Sequence, residues 1–586
     1  MNKIIVSMIV TGLLSTTFIA SVDVSKSVST VPFANIYVDD DNTQGPWDGT
    51  IEHPYRTIIQ GVDNASEGDT VFVFNGIYRN EYIYVRKSIK LVGENRYNTI
   101  IDGPHSAVEV GNNQLIDGFE ISNFMMKNLY AIYLYDCSHC KISENNIIGN
   151  NYGTRGIWLT NCSNCTVSNN IIRVHWDSIT IRAESVNNKI DGNYLYGFNE
   201  SLSGIDISSD SNNTIISNNA ISNCGDGIDV HLSDRTIITD NKFINNTGFG
   251  ITFFVSSNST ISRNKITSND KGIESSCSDD VIISDNIITD NGQYGISLSQ
   301  GKNIVVSHNI VDNNPCGIAF CYVENSVCAN NTITNSSESG IDIMDSGTIA
   351  GNNLISYNNV NNCYCGIVLD HSWGNAYKNN IVNCNEFGIL LYGEAYFNVI
   401  TQNEVRKNGF GVVLYGFIQG KTYAPLNNWV VGNNISENTD CGVYATVLTR
   451  LNQIYYNNLM DNYQNAYDNG TNIWYKFKPF GKSMGNYWDD YTGSDNDGDG
   501  IGDSPYDVPP LPFRNKDRYP CMEPINIKNT ASSYSKLIQI NSQSRSQPSI
   551  QQSNPSTKNQ PNSQPGSQVL VGNLQLIKQQ IDKTKI

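Results

Sequence analysis

Apolar and polar residues alternate in short runs along most of the chain, and the runs recur. In Gly227-Ile228-Asp229-Val230-His231, Ile228 and Val230 fall on one side of an extended strand, Asp229 and His231 on the other. The Gly-Ile or Gly-Val pair that opens such a run recurs at Gly204, Gly227, Gly250, Gly272, Gly295, Gly317, Gly340, Gly366, Gly388 and Gly411. Its steps are 22 or 23 residues, with one of 26. An Asn two places before an apolar residue keeps nearly the same period, at Asn146, Asn170, Asn193, Asn219, Asn241, Asn264, Asn286, Asn309, Asn331, Asn353, Asn380 and Asn403. Strands this short cannot bury an apolar face alone. Stacked about 4.8 Å apart as successive coils, they close a continuous core. The pattern predicts an all-β fold, a parallel β-helix. Its Asn column bonds up and down as an inward ladder, and its glycines supply tight backbone geometry at another corner.

The ends of such a stack need covering. Pro54 to Glu67 reads as a short amphipathic helix that caps the first coil, followed by strands at 70–73 and 89–92. Trp474, Tyr475, Phe477 and Phe480 form an aromatic cluster suited to closing the last coil. The chain divides into a signal peptide (1–25), an N-terminal lead-in and cap (26–80), the repeats (81–475) and a C-terminal cap with an Asp-rich loop (476–525). A Ser/Gln/Asn/Pro-rich linker (526–568) and a short amphipathic segment (569–586) complete it. In that last segment Leu570, Leu574, Ile577 and Ile581 share one helical face. At the N-terminus, Lys3, an apolar run and the small-residue exit near Ala20-Ser21 carry the signal-peptide pattern. With the signal removed no transmembrane span is expected, and the mature protein is placed at the cell surface or secreted, with the periplasm as the alternative.

Composition narrows the partners. A formal net charge of −18 leaves little basic surface for phosphates, which excludes nucleic acid. It also disfavours a polyanionic sugar unless Ca²⁺ bridges the two. Neutral glycans, cations or cell-envelope components remain.

Two segments carry a family resemblance. Tyr37 to Asn80, containing GTIEHPYRTIIQGVDNASEGDTVFVFNGIYRN, resembles the opening of pectate-lyase-like right-handed β-helices, and the repeats resemble the carbohydrate-binding and sugar-hydrolase type. Gly485 to Val508, GNYWDDYTGSDNDGDGIGDSPYDV, with RYPCMEP after it, is similar to the end of NosD-like β-helix proteins of archaeal cell surfaces. The resemblance implies a right-handed solenoid, and for the NosD type a periplasmic copper role; many relatives resemble simple surface proteins, which the long polar tail fits better.

Three constellations carry candidate chemistry. Aligning coils on the glycine gives two outward rows: Trp158, Thr180, Asp206, Asp229, Thr252, Glu274, and then Thr160, Arg182, Ser208, His231, Phe254, Ser276. Adjacent coils bring Asp206 and Asp229 within about 5 Å, near His231 and Arg182. Two carboxylates so spaced suit a retaining glycosidase, as nucleophile and acid. In a lyase, Arg182 or His231 is the base. Asp177 and Asp226 flank them, and Trp158 and Trp176 offer flat faces to sugar rings. The bland alternative is a solvated outer face that binds glycans or nothing. Second, Cys137-Ser-His139-Cys140 and Cys162-Ser-Asn-Cys165 sit one coil apart; four thiols and an imidazole suit Zn²⁺ or copper, while core packing is the competing reading. Cys316, Cys365 and Cys441 each precede a marker-type glycine, as packing ladders or inter-coil disulfides; only seven His and eight Met argue against a large copper load. Third, Asp495, Asp497, Asp499 and Asp503 have the spacing of a Ca²⁺ loop, with Tyr506 where an EF-hand carries its closing Glu. That composition points to a single, weakly held structural Ca²⁺. The Asn-x-Ser/Thr sequons, at Asn161, Asn245, Asn335 and Asn469 among others, add little in so Asn-rich a chain.

Overall fold

The computed structural model describes residues 35–103, 106–111, 115–149, 153–198, 202–344, 351–479, 481–510 and 515–527. The signal-peptide segment, Phe480, most of the polar linker and the segment 569–586 lie outside these residues.

The chain is a parallel β-solenoid in which each coil places one strand in each of three sheets. One coil runs Ile237–Thr239, Lys242–Ile244 and Phe249–Phe254, and the next stacks on it in register as Thr260–Ser262, Lys265–Thr267 and Lys271–Ser276. The first sheet has 19 strands, which at about 4.8 Å each makes a face on the order of 85 Å long. Parallel pairing already begins at Asn35–Val38, which pairs Thr70–Val73, and reaches Tyr487–Trp488 at the far end. The core is a set of in-register apolar columns such as Ile238, Ile261, Ile283 and Val306, all fully buried. Among the described residues no helix is long and apolar enough to cross a membrane.

The Asn ladder runs unbroken through fifteen rungs: Asn145, Asn170, Asn193, Asn219, Asn241, Asn264, Asn286, Asn309, Asn331, Asn358, Asn380, Asn403, Asn433, Asn457 and Asn486. In each step one carboxamide donates to the next rung's oxygen. Asn145 and Asn358 hold the places that the sequence pattern assigns to Asn146 and Asn353. Asn353 belongs to a separate column with Asn375 and Asn398. A further column stacks Asn246, Asn269, Asn291 and Asn314. Every rung of the long ladder except Asn486 follows a tight corner whose residue has positive φ, such as Asn169 (φ 55°), Asn218 (57°) and Asn330 (58°). Asn tolerates that conformation better than most side chains, which is a second reason for its abundance.

The glycines play a different part from the corner role expected of them. They lie inside third-sheet strands, and Gly227, Gly250 and Gly272 are absent from the positive-φ positions. A Cβ on Gly250 would stand 2.7 Å from the Gly272 carbonyl oxygen and 2.6 Å from Ile266 Cγ2. Close approach of one coil's backbone to the next, not φ, requires the missing side chain.

The ends also depart in detail from expectation. The N-terminal helix is shorter, Ile58–Asn64, opened by a capping box between Thr57 and Gln60 and burying Ile58, Gly61 and Val62. At the other end Trp474 and Trp488 are buried with ring centroids 5.5 Å apart, and Tyr506 stacks on Trp488 at 3.9 Å. Phe477, by contrast, is exposed. The Asn ladder terminates on Asp517, whose Oδ2 accepts from the Asn486 backbone at 2.6 Å and from the Trp488 indole at 2.9 Å.

Candidate functional site

The third sheet presents its outward rows as the register arithmetic requires. Thr180 pairs Asp206, Asp206 pairs Asp229, and Ser208 pairs His231. In-register parallel stacking thus converts a 23-residue sequence interval into side-chain contact. Oxygens of Asp206 and Asp229 and a ring nitrogen of His231 lie within 4.8 Å of one another, a spacing a divalent cation also fits. His231 Nε2 is 3.9 Å from Asp206 Oδ1. Asp177 and Asp226 stand at the strand edge, where Asp177 Oδ1 accepts from the Ser203 backbone N–H and Asp226 Oδ1 from that of Phe249.

Burial sets the protonation of this cluster. Asp206, partly buried and near the charges of Asp177 and Asp229, is pushed up to about 7, against a smaller pull from Arg182. Asp229 is pushed up to about 6, again chiefly by burial, with His231 opposing. Burial also raises Asp177 and Asp226. Proton uptake by this pair is therefore raised well above the usual carboxylate range and is shared between Asp206 and Asp229.

The two indoles are not open platforms. The Arg182 guanidinium lies 3.9 Å from the Trp158 ring centroid, and Arg155 lies 4.3 Å from both Trp158 and Trp176. A sugar ring reaches the arginine-covered face of either indole only if the guanidinium swings away. Arg155, which the register analysis passes over because it lies upstream of the rows, is thus part of the site; its position one coil before Trp176 is the signal that finds it. Tyr133 flanks Trp158 at 5.7 Å and Tyr135 follows at 5.6 Å from Tyr133, extending an aromatic tract toward the N-terminal coils. The Trp158 indole N–H, the Thr160 hydroxyl and Arg155 Nε are buried with no hydrogen-bond partner among the described residues. Buried donors in that state favour a ligand or water that accepts from them.

The other two constellations assemble in part. All fourteen cysteines are free thiols, so the ladder reading of Cys316 and Cys365 holds without disulfides; Ser339, between them, donates to Cys316 Sγ at 3.2 Å. Cys137, Cys140, Cys162 and Cys165 are all buried, Cys137 pairs in register with Cys162, and their sulfurs are not among the close groups of ligand atoms in the described residues. His139 stands apart from them: it occupies a positive-φ corner, and its exposed ring pairs with Asp117 at 2.6 Å. In the acidic loop, oxygens of Asp495, Asp497 and Asp499 lie within 4.8 Å of one another. Asp503 is turned away, its Oδ2 accepting from Asn496 N at 2.9 Å and Asn496 Nδ2 at 2.6 Å.

The raised carboxylates make stability depend on pH with a defined sign. A folded-state pKa above the unfolded value of about 3.8 means that the native state binds the extra proton, so stability falls as pH rises from about 4 through 7. Buried Asp342, raised to about 8, and Glu81, raised to about 7, act in the same direction. The melting temperature is expected to be higher at pH 5 than at pH 8. Asp206→Asn should flatten that slope; an unchanged slope in the variant would place the coupling elsewhere.

A sequence profile described as periplasmic copper-binding protein (NosD) matches residues 62–248 and 350–493, more than half of the chain, and one described as right handed beta helix region matches 198–327. No curated protein matches. Among solved structures, similarity extends to PfbA, a surface adhesin of Streptococcus pneumoniae, at 14% identity, covering 50% of this chain and 88% of that one with a TM-score of 0.39. The Dettilon tailspike protein shows 14% identity over 61% of this chain and 68% of its own, TM-score 0.38. A GH136 lacto-N-biosidase from Eubacterium ramulus shows 14% identity over 59% and 67%, TM-score 0.35.

Proposed function

The chain belongs to the NosD family, and from that premise we propose that it is an extracytoplasmic glycan-binding protein of the cell surface, recognising its ligand on the outer face of the third sheet around Asp206 and Asp229. The observation that carries this reading is the close pair of carboxyl groups, Asp206 and Asp229, set at the end of an aromatic tract with unpartnered buried donors. Carboxylates accept from sugar hydroxyls, and the Trp158 and Thr160 donors supply the complementary half of a hydroxyl's hydrogen bonding. Four clustered aspartates repel an anionic chain, so a neutral glycan is the fitting class. Binding of a neutral oligosaccharide panel to the purified mature protein, measured by calorimetry beside an Asp206→Ala, Asp229→Ala double variant, tests it. Equal affinity in the variant, or no binding across the panel, would reject this face as the site.

A second reading, hydrolysis, is favoured by one further feature. Burial raises both Asp206 and Asp229, so the close pair can share one proton between a general acid and a nucleophile. A lyase fits less well. Arg182 is stacked on Trp158, which leaves His231 as the base of a lyase, and a uronate would meet the aspartates.

For the acidic loop we propose one structural Ca²⁺ held by Asp495, Asp497 and Asp499. Their carboxylates accept backbone N–H groups of their own loop, from Asp499, Gly500 and Ile501, which gathers the oxygens on one side of it. Ca²⁺ at 100 times its dissociation constant should stabilise the folded cap by about 2.7 kcal/mol, read as a melting shift that chelation reverses. Asp497→Ala should remove the shift, and its persistence in that variant would reject the loop. The copper role attached to the family requires soft donors, whereas the close groups of ligand atoms among the described residues are carboxylates, one of them with His231.

A further inference from the structure

The outer face of the third sheet changes character toward its C-terminal end. From the strand Asp226–His231 onward its outward row is polar and partly exposed, running Asp229, Thr252, Glu274 and Ser297. Farther along, the same row holds Val368, Leu390 and Val413, and none of the three has any access to solvent. Their neighbours in sequence, such as Ile367 and Leu369, belong to the interior core, whereas these three join a second apolar cluster separate from it. Phe387 and Phe410, which open two of the same strands, stack at 5.6 Å within that second cluster. Apolar side chains that point out of a solenoid and still meet no water lie beneath a cover.

Part of the cover is a hairpin, Phe417–Gln419 with Lys421–Tyr423, along one border of the face. Its Phe417 stacks on Tyr392 at 4.9 Å and its Tyr423 on Phe417 at 4.9 Å. The row begins on an acid, since Asp342 pairs in register with Val368. Asp342 Oδ1 and Glu338 Oε2 are buried with no hydrogen-bond partner among the described residues. A segment resting here needs apolar side chains for the middle of the face and cations or donors for its acidic end.

We propose that the chain's own C-terminal segment, residues 569–586, docks on this face as an amphipathic helix. Leu570, Leu574, Ile577 and Ile581 supply the apolar stripe, and Lys578, Lys583 and Lys585 against a single Asp582 suit the acidic end. Length fits: the 18 residues make a helix about 27 Å long. The buried positions that open the strands, from Cys316 and Ser339 through Phe387 and Phe410 to Cys441, cross six coils, about 24 Å. Reach fits as well. The last described residues run along these coils, where Ile525 N donates to Asn458 Oδ1 at 2.7 Å and Ile527 O accepts from Gln402 Nε2 at 3.3 Å. The 41 residues between, 528–568, span about 35 Å as a flexible chain, enough to pass round to the third sheet. An isolated helix of this length is marginal in water, so the segment gains its order from the face it covers. Asp206 lies six coils from Asp342, about 29 Å, and docking leaves the glycan reading untouched.

Thiol footprinting of the reduced, purified full chain tests this. Cys365 and Cys441 lie on the covered face, Cys224 lies in the interior core, and Cys384 is exposed. In the native chain Cys384 should alkylate fast and the other three slowly. In Leu574→Asp/Ile577→Asp, Cys365 and Cys441 should react about tenfold faster or more, while continued protection of Cys224 shows the solenoid to be intact. Gln575→Asp/Gln579→Asp, which places the same charge on the opposite side of the helix, should keep Cys365 and Cys441 protected. Unchanged protection in Leu574→Asp/Ile577→Asp would overturn the proposal, as would equal loss in both double variants. Native Cys365 and Cys441 reacting as fast as Cys384 would assign the face to a separate partner. Protection that disappears on dilution, as sedimentation shows a dimer dissociating, would assign it to a second copy; either result overturns the docking of 569–586.

Discussion

Asp229→Asn is expected to lower turnover of a neutral glycan by about 10³-fold or more, and Asp206→Asn by about 10²- to 10³-fold in a manner set by the leaving group. The asymmetry follows from giving the acid role to Asp206, the carboxyl group that burial and its neighbours raise further. Asp229, nearer to ionisation at about 6 and facing His231, is the group that attacks or activates water. Asp206, held up to about 7 by burial and by the neighbouring aspartates, is the group that donates. An aryl glycoside with an acidic leaving group needs no donated proton, so Asp206→Asn should barely slow its cleavage while crippling that of an alkyl-linked glycan. The wild-type pH profile should rise near 6 and fall near 7, a narrow bell, and Asp206→Asn should lose the alkaline limb. In Asp229→Asn, added azide should restore part of the rate if Asp229 is the nucleophile. Full turnover in either variant would remove these carboxylates from catalysis. Absence of turnover in the wild type, with binding retained and lost in the double alanine variant, would leave a binding protein whose aspartates accept from hydroxyl groups.

What the sequence showed of this site and what it concealed have one physical origin. In a solenoid with in-register parallel pairing, residues one period apart are neighbours, so the contact of Asp206 with Asp229 and His231 follows from counting. The same arithmetic aligned Cys137 with Cys162. Features that depend on rotamers rather than register were not legible. Nothing in the spacing says that Arg182 and Arg155 lie on the Trp158 indole, that His139 turns outward to Asp117, or that Asp503 turns to Asn496. The glycine column was legible as a marker but misread as a corner, because a period cannot distinguish a residue chosen for φ from one chosen for the absence of a Cβ. The Asn ladder slipped at Asn146 and Asn353 for a related reason. Asn fills several columns and many positive-φ corners, so where two Asn are adjacent, as at Asn145 and Asn146, the period alone does not choose between them.

Asn264→Ala is expected to destabilise the solenoid by about 4 kcal/mol, although it removes only a small polar side chain. The Asn264 carboxamide donates to Ile238 O at 3.0 Å, Ser262 O at 3.1 Å and Asn286 Oδ1 at 3.0 Å, and accepts from Asn241 N and Nδ2 at 3.0 and 3.1 Å. Truncation leaves the Asn241 backbone N–H and carboxamide and the Asn286 carboxamide oxygen in a dry interior without the bonds that the Asn264 carboxamide makes, each unmet group costing about 1–3 kcal/mol. A solvated side chain on the adjoining strand, Lys265→Ala, should stay within about 0.5 kcal/mol of wild type. Asn264→Asp is the sharper test. It is nearly isosteric, yet its second oxygen faces three acceptors, so the carboxyl must hold a proton or the rung breaks. A pKa raised in the folded state makes that variant lose stability as pH rises, and its deficit should be larger at pH 8 than at pH 4. Urea unfolding at both values, with hydrogen exchange of the flanking coils, reads this directly; effects below 0.5 kcal/mol in both variants would show the ladder to be ornamental. The chain itself places an acid only where this logic permits one. Asp517 closes the column beyond Asn486, where it accepts from a backbone N–H, a carboxamide and an indole and no further rung asks it to donate.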